Sequence, residues 1–317
     1  MEGTADVSPF GVLAVKPNTI LISSAFALLL VQYAQAEEGP GHDAQRLSFS
    51  YLGLGIDSMT YEERLPDFYG RELKTEYSSS VPVLRTGVYT SISHDWGFAI
   101  TTLASLYGDK AEEEWNWPGA GSIQTNEMAM TRKESNVFGF RQLGGGHYLT
   151  AGLNYSQYSF SRNAFRSTPG TELFNEAVFG ELPAEQQEEM RLDPDANQGT
   201  ISEDSVTVNV AVGYGYDNYF NLEQEGLRLF GSVLVGTPVF RRVTNTLLDG
   251  TLTDSVSESV NATLVAGAGW QFSASFSVNY VFEGTYVSLD KLEGDNELVP
   301  EVTFTSLANN LVAYWNF

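Results

Sequence analysis

Between Leu47 and Phe317, apolar residues alternate with small or polar ones at a period of two, in one segment after another. Leu52, Leu54 and Ile56 interleave with Tyr51, Gly53, Gly55 and Asp57; Val206, Val208, Val210, Val212 and Tyr214 interleave with Thr207, Asn209, Ala211, Gly213 and Gly215. A period of two sends successive side chains to opposite faces of a β-strand, so each segment carries one greasy and one small or polar face. Read this way the chain holds ten strands, at 47–58, 81–93, 97–107, 136–143, 147–160, 205–216, 226–240, 256–270, 275–289 and 302–317. In the fourth of them Phe138 and Phe140 are taken as the greasy face.

The links between these segments sort by length. Those after odd-numbered strands are long (59–80, 108–135, 161–204, 241–255 and 290–301), and those after even-numbered strands are short, centred on His94-Asp95-Trp96, Gly144-Gly145-Gly146, 217–225 and 271–274. Such alternation around an even number of antiparallel strands is the layout of a transmembrane barrel. The expected fold is therefore all-β: a single antiparallel up-and-down transmembrane β-barrel of about ten strands, twelve if one weak pair escapes the pattern. Its long loops are extracellular and its short turns periplasmic. The greasy faces then meet lipid, and the small polar faces, with Gly53, Gly55, Gly87, Gly152, Gly213, Gly215 and Gly267, fill the lumen. Aromatic residues gather near strand ends, with Trp96, Phe98, Tyr216, Tyr219, Phe220, Trp270, Phe272 and Trp315 on the short-turn side and Tyr107, Tyr158, Phe160 and Tyr286 on the other. Two such girdles are what the two bilayer interfaces select.

Ahead of the strands, Ile20–Val31 is an apolar run preceded by Lys16 and followed by Ala34-Gln35-Ala36. Twelve residues make about 18 Å of helix, short of the roughly 30 Å hydrocarbon core. Residues 1–36 are accordingly expected to be a signal peptide, cut after Ala36, with 37–317 as the barrel domain. Glu2 and Asp6 sit where a signal peptide is normally basic, which is repaired if translation begins near residue 15, at Val15.

Composition narrows the chemistry. The 317 residues include 40 acidic and 17 basic side chains, a net charge of -23, and no cysteine. Nucleic acid is excluded as a partner class, because phosphate binding needs clustered Lys and Arg. Thiolate metal sites, disulfides and a Cys nucleophile are excluded as well.

The chain finishes Leu-Val-Ala-Tyr-Trp-Asn-Phe, with Leu311, Ala313, Trp315 and Phe317 on one face of the last strand. This ending resembles the bacterial outer-membrane β-barrel superfamily, and the overall plan is similar to solitary autotransporter-type barrels. The resemblance implies residence in the outer membrane among lipid and lipopolysaccharide. It also implies that Leu311, Ala313, Trp315 and Phe317 are the signal read by periplasmic chaperones and the barrel assembly machinery. The chain is expected to act as a monomer.

Catalytic machinery is sparse. Ten-stranded barrels include the omptin proteases, which use Asp and His at the outer rim, and a general base must stand where substrate arrives. His42, His94 and His147 are all expected on the periplasmic side. No H-E-x-x-H, Walker or dinucleotide motif occurs, so no catalytic, cofactor or metal site is assigned. The acids between Glu172 and Asp204 read as a solvated face, since no loop of the Asp-x-Asp-x-Asp-Gly kind organises them. The segment Leu173–Arg191 has the spacing of a short surface helix interrupted by Pro183. Trp115 and Trp117, on an acidic loop, are candidate partner anchors or the packing of a lid. Arg85, Arg141 and Glu283 fall on expected lumen faces and should be ion-paired or wet. The expected activity is thus non-enzymatic, through acidic surface loops, in surface interaction or envelope integrity. A narrow channel for small solutes or ions is the alternative, and a rim hydrolase a third.

Overall fold

The computed structural model describes residues 48–316 apart from 94, 198, 219–224, 248–250, 255–258 and 294–297. The expected signal peptide, His42, His94, Tyr219, Phe220 and Phe317 lie outside the described residues. The described strands are β1 (Ser48–Phe68), β2 (Arg71–Ser91), β3 (Trp96–Ser105), β4 (Lys110–Trp117), β5 (Gly121–Gly144), β6 (His147–Ser167), β7 (Ile201–Asp217), β8 (Gly226–Asn245), β9 (Thr251–Asp254), β10 (Val260–Ser273), β11 (Phe276–Leu289), β12 (Leu292–Glu293), β13 (Leu298–Val299) and β14 (Glu301–Asn316). Every pairing between them is antiparallel.

The main sheet closes on itself, because β1 pairs with β2 along one edge and with β14 along the other. Its twelve strands occupy ten positions: β4 continues β3 between β2 and β5, and β9 lies against the upper part of β8. Closure leaves no edge, which is the condition for strands to cross lipid, where an unpaired backbone group costs several kcal/mol. The ten-strand expectation therefore holds, with the third strand interrupted at residues 106–109.

The outer wall has an apolar band. On β8, Leu227, Leu229, Val233, Val235 and Val239 are exposed; on β1, so are Leu52, Leu54 and Ile56, and on β14 Leu307, Leu311 and Trp315. Leu227 to Val239 spans 12 residue steps, roughly 40 Å along the strand and about 28 Å of height at a 45° tilt, enough for the apolar band of such a barrel. Trp96, Tyr216, Trp270, Phe272 and Trp315 ring its short-turn margin, and Tyr107 and Tyr286 stand at the other.

Four expectations are corrected. Segments 59–80 and 108–135 are not loops: β1 and β2 continue to a tight turn at Tyr69-Gly70, both with positive φ, and β4 and β5 meet at Pro118–Ala120. Beyond Ile56 the alternation continues but inverts. Ser58, Thr60, Glu62 and Arg64 face outward, opposite Ser80, Ser78, Glu76 and Lys74, while Met59 and Tyr61 are buried inside. Above the membrane the wall meets water, so its greasy side must turn inward. The upper barrel thus rises roughly 23 Å beyond the lipid, taking Ser58–Phe68 as ten residue steps.

Inversion also misplaces two aromatics. Tyr158 and Phe160, expected in the upper girdle, are 3% and 4% exposed and pack inside with Met128, Met130 and Phe304. In β5, Phe138 and Phe140 point into the lumen, which turns Arg141 outward, where its guanidinium lies 5.7 Å from the Trp96 ring centroid. Arg141 is therefore not a lumen charge but an interfacial one, an amphipathic side chain beside a girdle tryptophan.

The 161–204 link folds where its spacing suggests. α1 (Pro169–Phe179) and α2 (Ala184–Met190) are separated at Pro183. Pro169 opens α1, Thr168 N–H donates to Thr171 Oγ1 at 2.8 Å, and Thr171 Oγ1 donates to the Ile123 carbonyl at 2.6 Å, so the helix start is pinned to β5.

The lumen and its outer cap as candidate functional site

Inward positions along single strands build the lumen in layers. On β1 the inward series is Tyr51, Gly53, Gly55, Asp57, Met59, Tyr61, Glu63, and on β5, read from the other end, Phe138, Asn136, Glu134, Arg132, Met130, Met128, Asn126. The two series meet across the barrel where Arg132 bonds Asp57 and where Met59 and Tyr61 pack with Met128 and Met130.

Lowest is an aromatic belt. Tyr148 meets Phe140 at 5.3 Å, Phe140 meets Tyr89 at 5.6 Å, Tyr89 stacks on Phe49 at 5.1 Å, and Phe49 meets Tyr314 at 5.8 Å. Arg228 lies over Tyr314 at 4.3 Å and is held by Asp217 at 2.7 Å, a guanidinium stacked on a ring and neutralised in place. Above the belt is a chamber of about 170 Å³. Four amides stand in its wall: Asn154 Nδ2 donates to Asn136 Oδ1 at 2.6 Å, and Asn154 Oδ1 accepts from Asn209 at 2.7 Å and from Asn261 at 3.3 Å.

An ionic layer roofs the chamber. Arg132, fully buried, donates to Asp57 at 3.0 Å, twice to Glu134 at 2.9 and 2.6 Å, and to Thr285 at 3.0 Å, and also bonds Ser306. Arg85 pairs with Glu283, whose second oxygen lies 3.7 Å from Arg132. Arg85 and Glu283 are thus brought together in the lumen. Three carboxylates facing two guanidiniums, all removed from bulk water, are held by mutual pairing and hydrogen bonds.

Next comes an apolar core of Met59, Tyr61, Tyr77, Val81, Val83, Leu103, Met128, Met130, Tyr158, Phe160 and Phe304, contributed by β1, β2, β3, β5, β6 and β14. A second ionic layer lies above it. Arg162 bonds both oxygens of Glu113, at 2.7 and 2.9 Å, and Glu63 at 2.8 Å; Asn126 donates to Glu113 and Tyr61 to Glu63, each at 2.8 Å. Asn245 donates to Glu203 at 2.8 Å.

Burial, followed by the neighbouring Glu63 carboxylate, pushes the Glu203 carboxyl up to about 7, against the pull of Arg162. Its outward neighbours Ser202 and Asp204 are polar, which places it above the lipid. A carboxyl near 4.3 when unfolded and near 7 when folded binds more protons in the fold between those values. Its stabilising contribution is therefore full below about 4.3 and is lost as pH rises through 7. Unfolding in urea should need more denaturant at pH 5 than at pH 8, by on the order of 3 kcal/mol, and Glu203→Gln should flatten that slope. An unchanged slope in the variant would remove Glu203 from the account.

At the top the hairpin tips are capped. Leu73, Trp117, Ile123, Phe174 and Phe179 form a buried cluster, joined by Leu65, Phe68 and Trp115. Trp117 is 3% exposed, meets Phe174 edge-on at 5.1 Å, donates to the Phe68 carbonyl at 3.1 Å and is covered by Arg71 at 4.6 Å. Trp115 is half-buried and donates to Asn126 at 2.8 Å. Of the two readings given for them, free anchors and the packing of a lid, the structure shows the packing: both point inward beneath the cap, because 110–117 is strand and its odd positions face the lumen. Asn175 holds the cap segment together, donating to and accepting from the backbone of Leu192 at 2.9 and 2.8 Å, and Arg191 pairs with Glu172 at 2.6 Å.

The described histidine, His147, begins β6 at the short-turn end, exposed on the outer wall, with Nδ1 2.6 Å from Tyr214 Oη. Among the described residues no three His, Cys, Asp or Glu converge as a metal site. Sequence reasoning missed Asp57, Glu63, Glu113, Arg132, Glu134 and Arg162, which hold the two ionic layers. A usable signal was present: each is a charged residue in register with its strand's inward series, but most lie in stretches read as loop.

No family model and no curated protein matches this chain. Among solved structures, the outer membrane protease OmpT from Escherichia coli is similar over 88% of this chain and 99% of its own, with a TM-score of 0.59 and 12% identity. The translocator domain of the autotransporter NalP from Neisseria meningitidis aligns with a TM-score of 0.35 at 10% identity, over 94% of this chain and 98% of its own. Ail of Yersinia pestis aligns with a TM-score of 0.32 at 8% identity, over 85% and 99%. At these identities the likeness concerns fold. The chain has the fold of a bacterial outer-membrane β-barrel.

Proposed function

We propose that the protein is a closed barrel of the bacterial outer membrane that acts through its extracellular end, in surface interaction or envelope integrity, rather than by conduction or catalysis. One observation carries this reading: the upper lumen is filled by two ionic layers with an apolar core between them. Such a plug leaves the capped, acidic outer end as the part that meets the surroundings. In this reading the outer wall contacts lipid and lipopolysaccharide, the chain works as a monomer, and the outward Leu311, Ala313 and Trp315 serve recognition by periplasmic chaperones and the assembly machinery. The position of His147 speaks against a hydrolase at the outer rim.

The runner-up, a narrow path for small solutes, draws on the lower chamber. Planar-bilayer recording on the refolded chain, with a boiled-versus-unboiled gel shift to prove folding, separates the two. We expect a heat-modifiable barrel with no discrete conductance steps; regular steps would overturn the closed-barrel reading.

A further inference from the structure

The chamber of about 170 Å³ between the aromatic belt and the lower ionic layer is built rather than left over. Two rings are laid flat against its wall by glycines: a Cβ on Gly87 would stand 2.4 Å from the Tyr51 ring, and one on Gly267 would stand 2.1 Å from Phe230. Removing Cβ beneath a ring moves it toward the wall and clears the middle of the lumen. An enclosed apolar cavity of about 150 Å³ is enough to hold benzene. This one therefore takes a molecule of one aromatic ring.

Its lining sets the chemistry. Rings and aliphatic groups make up most of the exposed surface, and between them stand the amides, hydroxyls and ion pairs of the wall. The charges on the wall are occupied with one another, Arg85 with Glu283 and Arg228 with Asp217, and Glu134 leaves carboxylates in the majority. An anion is disfavoured. Two buried polar atoms of the wall have no partner among the described residues: Arg85 Nε, and the Oδ1 of Asn209, which is 1% exposed and gives its Nδ2 to Asn154. A buried acceptor without a donor costs free energy that a guest hydroxyl would recover.

We infer that the lower lumen chamber binds one small, uncharged aromatic molecule bearing a hydroxyl, of the size and chemistry of a phenol. Entry is from the short-turn end, because the ionic layers and the apolar core close the other.

The test is fluorine NMR of 4-fluorophenol with the refolded, gel-shift-verified chain in micelles. Binding should saturate at one molecule per chain and be competed by phenol. Ala211→Leu, which fills the chamber, should weaken it at least tenfold, and Ala99→Leu, filling from another strand, should do the same. Fluorobenzene should bind about tenfold more weakly than 4-fluorophenol, and Asn209→Leu should close that gap. A signal that rises without saturation in the native chain, as micelle partitioning gives, would overturn the inference whether or not the variants fold. So would equal affinity in a folded Ala211→Leu chain, or a phenol-soaked crystal with only water in the chamber.

Discussion

Replacing Arg132 with methionine should destabilise the barrel by about 3–5 kcal/mol, the range found when one partner of a buried ion pair is removed. Arg132 is fully buried and is the shared donor for Asp57 and Glu134, with Glu283 3.7 Å away. Methionine fills much of the volume but leaves these carboxylates with Arg85 alone, so the cost is the uncompensated charge rather than a cavity. Urea unfolding in detergent, followed by loss of the unboiled gel form, should show a clear drop in midpoint at unchanged slope. Adding Asp57→Asn and Glu134→Gln to Arg132→Met should recover much of the loss, because the charge to be compensated is then gone. If Arg132→Met matches the native midpoint, the layer is hydrated and the lumen is not sealed as described.

Phe174→Ala should have a comparable effect confined to the outer end. Phe174 is 1% exposed and contacts Trp117, Phe68, Tyr69 and Phe179 at ring distances between 5.1 and 6.0 Å. Truncating a buried phenylalanine costs about 3–5 kcal/mol. That cost exceeds what the few polar ties to β5, from Thr168 and Thr171 to the Ser122 and Ile123 carbonyls, return, so the segment from α1 to α2 should detach while the strands below, which pair with one another, stay closed. Limited proteolysis should then cut within 168–200 at least tenfold faster, with the gel shift and the urea midpoint of the barrel retained. Loss of surface interaction in this variant would place the function in the cap. Cleavage at the native rate would mean that the cap does not depend on this cluster.

Legibility in the sequence depended on where each residue stands relative to the lipid. From Leu52 to Ile56 and from Val210 to Tyr214, greasy side chains face hydrocarbon and the alternation reports the strand, its faces and its register directly. From Met59 to Glu63 the alternation is just as regular, but outward Ser58, Thr60 and Glu62 are polar because they meet water, and the segment reads as loop. Arg132 and Glu134 were hidden by the same inversion. Phe138 and Phe140 failed for another reason: an aromatic residue suits lipid and a narrow lumen equally, and only neighbours inside the lumen, such as Tyr89 and Tyr148 against Phe140, decide between them.

By itself, then, the sequence determined a closed antiparallel barrel of ten strand positions, its membrane band, the inward Arg85 and Glu283, and a helical break at Pro183. These follow from local periodicity and from backbone hydrogen bonding that lipid makes obligatory. Tertiary structure alone decided that the strands climb past the membrane, that Arg141 faces outward and Trp117 inward, and that charges far apart in the chain meet as two layers. Arg132 finds Asp57 and Arg162 finds Glu63 across the lumen. Such pairings depend on ring closure and register, which one strand's pattern does not contain.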